Sequence, residues 1–263
     1  IFIGCESKDK KSSSGSTKNI SDIGRDTITP ATEGGYGFEK YAEDLGYQTY
    51  VHSDKDGTFF GDPRAKKGGT LNYIHGNFPR TMRIIGQNSS QMINSRIIQG
   101  LCYEALLGQH PATLEFVPSL ASHWMISEDK TEFRFRINPD ARWSDGMPVV
   151  ADDVVASWDI RMDETILMPS TQISFSKFER PVAETKYIVS VKAKSISWRN
   201  FLYFSTMALV PNHILKHLDG TAFLEEYAFS MIPGTGPYVI PEELIRNQES
   251  FTLIRREDYW AKD

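Results

Sequence analysis

Only two cysteines, Cys5 and Cys102, occur in 263 residues, so neither a disulfide framework nor a cysteine-based zinc site can be assembled. One lies in a polar tail and the other in an amphipathic segment, and they are not expected to pair. Charge of one sign is scarce as well. Against 34 Asp and Glu stand 29 Lys and Arg, a net charge of -5, and no stretch gathers the cations into a stripe. Counterion release from a phosphate backbone needs such a stripe, which argues against a nucleic-acid partner. No apolar run reaches the roughly 20 residues that cross a bilayer as a helix. Catalytic signatures are missing too. There is no G-x-S-x-G, no P-loop and no strand-linked G-x-G-x-x-G, so no hydrolase or nucleotide chemistry is supported and no cofactor is expected.

What is present is the profile of a soluble globular protein, with 40% hydrophobic and 24% charged residues. The length suits one large domain or two ordinary ones. The chain begins at Ile1 without a methionine, which reads as a cut piece. Phe2-Ile3-Gly4-Cys5 looks like the end of a bacterial lipoprotein signal, in which the Cys5 thiol takes a diacylglycerol. From Glu6 to Gly35 the residues are mostly Ser, Thr, Lys, Asp and Gly, too polar to offset their ordering entropy. Residues 1–35 are therefore expected to be a signal remnant and flexible tether with few contacts, and the protein to sit outside the cytoplasmic membrane on its lipid anchor.

Periodicity supplies the rest. Phe38, Tyr41, Ala42, Leu45 and Tyr47 fit a short amphipathic helix, and Asp54-Lys55-Asp56-Gly57 a turn. Leu71 and Tyr73 alternate like a half-buried strand. Ile93, Ile97, Leu101 and Ala105 share a face of a helix over 91–107. Phe133, Phe135 and Ile137 mark a period-2 strand, Asp152 and Asp153 open a helix from about Ala151 to Met162, and Tyr187, Val189 and Val191 form another strand. Pro211 opens a helix through Leu218, and a last strand covers Phe251–Arg255. The alternation predicts mixed α/β architecture. His213 and His217 have zinc-compatible spacing but enclose Ile-Leu-Lys, without the Glu of a zinc protease, and read as boundary histidines; no metal is expected. Trp124, Trp143, Trp158, Trp198 and Trp260 could line a cleft, though each singly reads better as core. Cys102 reads as a small buried hydrophobe.

Seven blocks, in order, resemble the family 5 extracytoplasmic solute-binding proteins, the oligopeptide, dipeptide and nickel receptors of bacterial ABC importers. They are Lys67-Gly68-Gly69-Thr70-Leu71, Leu101 through Leu106, Val117 through Trp124, Phe133 through Pro148 with its Trp143-Ser144-Asp145-Gly146, Asp152 through Trp158, Pro233 through Tyr238, and Arg255 through Trp260. Val150 departs from the family's capping Thr, and Cys102 and His123 replace more usual residues. The resemblance implies a type II periplasmic-binding-protein fold and no enzymatic activity. It implies lobe I at 66–104 and 185–263, an inserted subdomain at 105–184 and an N-terminal extension at 36–65, with the second lobe missing. It implies a monomer that captures a peptide and hands it to permease subunits; nickel chelates, oligosaccharides and opines are alternative solutes. An exported enzyme or scaffold sharing the architecture is the other reading. The loops Gly86-Gln87-Asn88-Ser89-Ser90 and Gly234-Thr235-Gly236 match places where lobe I meets a ligand, making Gln87, Asn88, Ser89, Thr235 and Gly236 the candidate binding residues. One lobe alone is expected to bind peptide weakly, since half of the ligand would stay in solvent.

Overall fold

The computed structural model describes residues 2–3, 25–51, 62, 64–66 and 68–261. Cys5, most of the tether, the turn at 54–57 and Lys67 lie outside the described residues. In chain order come β1 (Phe2–Ile3), β2 (Tyr73–Ile74), a π-helical stretch Asn94–Gln99 running into α1 (Gly100–Cys102), β3 (Leu107–Gln109), β4 (Phe116–Pro118), β5 (Ala121–Ile126) and β6 (Glu132–Ile137). Then follow α2 (Ala151–Met162), α3 (Pro169–Phe175), β7 (Val182–Ala183), β8 (Ile188–Lys192), α4 (Trp198–Ser205), α5 (Asn212–Leu215), α6 (Gly220–Glu226) and the short strands β9 (Tyr238–Val239), β10 (Ile245–Arg246), β11 (Ser250–Phe251) and β12 (Ile254–Arg255). The main sheet is antiparallel with order β5-β6-β8-β7.

Alternation along β6 puts Phe133, Phe135 and Ile137 on one face, all buried, as their period predicts. They pack with Trp143, Val154, Val189, Phe201 and Phe204 in a first core. A second core holds Met82, Ile93, Ile98, Cys102, Ile160, Val210, Phe251 and Leu253. Helix α2 joins them, giving Val154 to the first and Ile160 to the second. Strand β8 pairs with β6, and its Val189 and Val191 join the first core.

The opposite face of β6 is covered as well. Arg136 is 2% exposed and donates to Gly34 O at 2.8 Å, Gly35 O at 2.9 Å, Ser122 Oγ at 2.7 Å and Glu39 Oε1 at 3.1 Å. A buried guanidinium must have its donors satisfied, and here the N-terminal segment and Ser122 of β5 satisfy them together. Asp26 adds a bond from Tyr187 Oη at 2.9 Å. The expectation of few contacts before residue 36 therefore fails for residues 26–35, because main-chain carbonyls can pack where side chains have nothing to bury.

Other elements depart from their period. Phe38 and Ala42 are buried, but residues 38–46 form a 3-10 turn (Phe38–Lys40) and further turns instead of an α-helix. Leu71 and Tyr73 are 74% and 44% exposed, and among the described residues β2 pairs only with β1. The helix expected over 91–107 ends at Cys102, since Tyr103 is extended (φ -130°, ψ 148°). The helix after Pro211 stops at Leu215, and the last strand is broken between Phe251 and Ile254.

Candidate functional site

The loop at 86–90 turns through the left-handed region, with φ +91° at Gly86 and 68° at Asn88. Glycine and asparagine adopt that conformation most readily. A Cβ on Gly86 would also lie 2.5 Å from Leu224 Cδ2. Gln87 N–H donates to Ile166 O at 2.9 Å, and Gln87 O accepts from Arg83 at 2.9 Å, leaving the Gln87 and Asn88 side chains exposed. Ser89 is buried, and its hydroxyl donates to Gly86 O at 2.7 Å. Ser89 and Ser90 line an open cavity of about 400 Å³, together with Ser95, α3 and the end of α4.

Gly234-Thr235-Gly236 lies elsewhere and is buried. Gly236 N–H donates to Cys102 O at 2.9 Å, and Thr235 Oγ1 accepts from Glu104 N–H at 3.0 Å. These bonds take up groups that the early end of α1 leaves free. Ser144 N–H donates to Gly234 O at 2.8 Å, and Arg256 donates to Gly236 O at 3.2 Å and Trp143 O at 3.4 Å. Tyr259 Oη and Trp260 Nε1 donate to the Glu104 carboxylate at 2.6 and 2.9 Å. Four of the recognisable blocks, at 101–106, 143–146, 233–238 and 255–260, thus meet in one joint. The structure does not bring Thr235 and Gly236 into the cavity that Ser89 lines.

The joint's electrostatics follow from burial. Desolvation raises the Glu104 carboxyl above its ordinary range, opposed by the hydrogen bonds from Tyr259, Trp260 and Thr235. Burial pushes the Cys102 thiol up to about 12, so at neutral pH it is a protonated, unreactive side chain. Replacing Thr235 with valine keeps the volume but leaves the Glu104 N–H without its acceptor. Thr235→Val is expected to destabilise by about 1–2 kcal/mol, and Thr235→Ser by less. Urea unfolding midpoints check this; equal midpoints for valine and wild type would show that the bond contributes nothing.

Several residues that could have carried chemistry have other duties. His213 Nε2 lies 2.6 Å from Asp145 Oδ2, while His217 is exposed beyond the end of α5. Among the described residues no group of three or more His, Cys, Asp or Glu could hold a metal ion. Asp153 caps α2 in a fuller sense than expected, accepting from Val150 N–H, Asn212 N–H and Trp143 Nε1. Trp124 and Trp143 are core, Trp198 is 77% exposed, and no tryptophan lines the large cavity. Sequence reasoning missed Arg161, Ser174, Tyr203 and Thr206, which do line it. The hydroxyl-rich run Ser170-Thr171-Gln172-Ile173-Ser174 was the available signal.

Among the described residues no helix is long and apolar enough to cross a membrane. The peptidoglycan-binding protein YepA of Agrobacterium fabrum is 25% identical over 210 residues, covering 77% of this chain and 33% of that protein. The periplasmic alpha-galactoside-binding protein of Rhizobium meliloti is 28% identical over 166 residues, covering 57% and 24%. The chain spans about a third of the length of the first of these relatives. A dipeptide binding protein from Pseudoalteromonas sp. SM9913, solved with Met-Leu, superposes with a TM-score of 0.59 at 18% identity, over 72% of this chain and 39% of that one. That likeness gives the fold, the type II periplasmic-binding-protein architecture. The family of bacterial extracellular solute-binding proteins, family 5 Middle, matches residues 115–263. With more than half of its length matched in this way, the chain belongs to the family 5 solute-binding proteins.

Proposed function

We propose that this chain belongs to the substrate-binding component of an ABC importer, which captures peptides outside the cytoplasmic membrane and delivers them to permease subunits. The family match over residues 115–263 carries the reading. The Met-Leu complex of the structural neighbour and the name of the peptidoglycan-binding relative support a peptide-bearing ligand. In this reading the protein binds and releases without reaction and works as a monomer. Lobe I is formed by the second core and the inserted subdomain by the first. Gln87, Asn88 and Ser89 face the ligand cleft. Thr235 and Gly236 hold the joint beneath it, within reach of ligand only through main-chain groups.

The deciding experiment is to purify the natural full-length protein from its host and identify the retained ligand by mass spectrometry. Peptides in the eluate support the proposal. A nickel chelate, an oligosaccharide or an opine would keep the receptor and change its solute, and turnover of any of these would make it an enzyme sharing the architecture.

Anchoring is separable. A diacylglycerol on Cys5 supplies about 0.8 kcal/mol per buried CH2. Cys5→Ser is expected to move the protein from the membrane fraction to the soluble fraction, and unchanged fractionation would refute the anchor.

A further inference from the structure

Where β8 gives way to α4, every residue from Lys194 to Arg199 is exposed. Two of them are large and apolar: Ile196 is 68% exposed and Trp198 77%, while Phe201 and Phe204 of the same helix are buried in the first core. A single apolar side chain in water needs no explanation. Two in one exposed turn, with a half-exposed Tyr203 on the following helix, make a patch.

Cations that no single stretch of sequence gathers are brought together around it by the fold. Lys194 N–H donates to Lys177 O at 2.8 Å, which sets these two lysines side by side. The Lys177 ammonium stands 5.9 Å from the centre of the Tyr203 ring. Tyr203 lies one turn of α4 from Arg199, whose guanidinium lies 5.0 Å over the Trp198 ring. A chain of neighbours thus runs from Lys194 through Lys177, Tyr203 and Arg199 to Trp198. No Asp or Glu occurs between Thr185 and Leu218. Of the neighbouring acids, Glu132 is the partner of Lys192 across the β6–β8 ladder, and Glu179 N–H donates to Lys192 O. Both therefore offset Lys192, and among the described residues none of Lys177, Lys194 and Arg199 is in an ion pair. In a protein of net charge -5, this face is cationic.

Resting on the anchored-receptor reading above, we propose that this face docks on an anionic phospholipid bilayer. Trp198 and Ile196 enter the headgroup layer, and Lys177, Lys194 and Arg199 pair with lipid phosphates. The protruding side chains favour a bilayer over an acidic protein. A fluid headgroup layer receives such groups without a shaped pocket, whereas a protein partner would have to supply one. The contact need only be weak, because a tether through Cys5 keeps the face at a millimolar effective concentration. Its effect is to fix which side of the receptor is turned to the membrane.

The test uses the Cys5→Ser chain, so that no acyl group contributes. It is sedimented with vesicles of phosphatidylcholine alone and of phosphatidylcholine mixed equally with phosphatidylglycerol. Binding is expected to the anionic vesicles, half-complete at an accessible lipid concentration on the order of 1 mM, and weakening as salt is added. That is too weak to hold the protein in a diluted membrane fraction. Trp198→Ala should weaken vesicle binding roughly tenfold and Lys194→Gln about fivefold. Both positions are exposed, so neither variant should change the far-UV circular dichroism spectrum. Ile28→Ala, at an exposed position outside the patch, should bind as the parent does. No binding to anionic vesicles, equal binding to both kinds, or binding that survives both substitutions would overturn the proposal. Binding to poly-glutamate with none to vesicles would overturn it too and assign the face to an acidic protein. The anchor is decided by fractionation and the receptor by its retained ligand, so each fails separately from this surface.

Discussion

Gly234→Ala is expected to destabilise the chain by about 3–5 kcal/mol, a large share of the 5–15 kcal/mol that holds a typical domain folded. The cause is close approach and not a left-handed backbone. A Cβ at Gly234 would stand 2.0 Å from Cys102 O and 3.0 Å from its carbonyl carbon. Both obstacles are main chain, so no rotamer change relieves the clash. Moving the loop away would break the bonds from Gly236 N–H to Cys102 O and from Ser144 N–H to Gly234 O. Gly236→Ala should behave similarly, since its Cβ would lie 2.5 Å from Leu101 O. Gly76→Ala is the control, because a Cβ there meets nothing within 4 Å, and it should stay within about 0.5 kcal/mol of wild type. Urea denaturation of the three variants decides the matter. A Gly234→Ala protein as stable as Gly76→Ala would mean that the joint yields freely.

The second large effect belongs to Asp153, which is 2% exposed. Asp153→Ala strips the acceptor from Val150 N–H at 2.8 Å, Asn212 N–H at 2.7 Å and Trp143 Nε1 at 3.2 Å. At about 1–3 kcal/mol for a buried donor left unpaired, and less for the two partly buried ones, a loss of about 3–5 kcal/mol is expected. The carboxyl also has a pH signature. Burial, the dominant influence, raises its pKa to about 6, against the pull of those three donors and of His213. An aspartate in the unfolded chain titrates near 4. Between about pH 4 and 6 the folded chain thus holds the extra proton, and its stability falls as pH rises. The advantage of wild type over Asp153→Asn should shrink across that window, by up to about 3 kcal/mol. Thermal unfolding of both proteins at pH 4, 5 and 6 measures it. A constant difference, or one growing with pH, would place the folded pKa at or below the ordinary range.

Much of this protein is written locally. The period-2 pattern of Phe133, Phe135 and Ile137 and the helix from Ala151 to Met162 recur residue for residue in the structure, because each segment buries one face and its period shows which. The family was legible for a related reason: its blocks are short, ordered and spaced as in the resemblance. Their meaning was not legible, because Gly234, Ser144, Glu104 and Arg256 are far apart in sequence and only the fold makes them neighbours. The end of α1 at Cys102 was hidden as well. The apolar period continues to Ala105, but Thr235 takes the Glu104 N–H from more than a hundred residues away. Arg136 reads as the polar side of a strand, and only the carbonyls of Gly34 and Gly35 make it a buried anchor. The sequence alone determined the strand at Phe133–Ile137, the helix at Ala151–Met162 and, through the ordered blocks of the resemblance, the fold class and the family, because each of these shows in near-neighbour spacing. Tertiary structure decided which loop reaches the cavity and which is buried in the joint, because that depends on long-range hydrogen bonds that have no period.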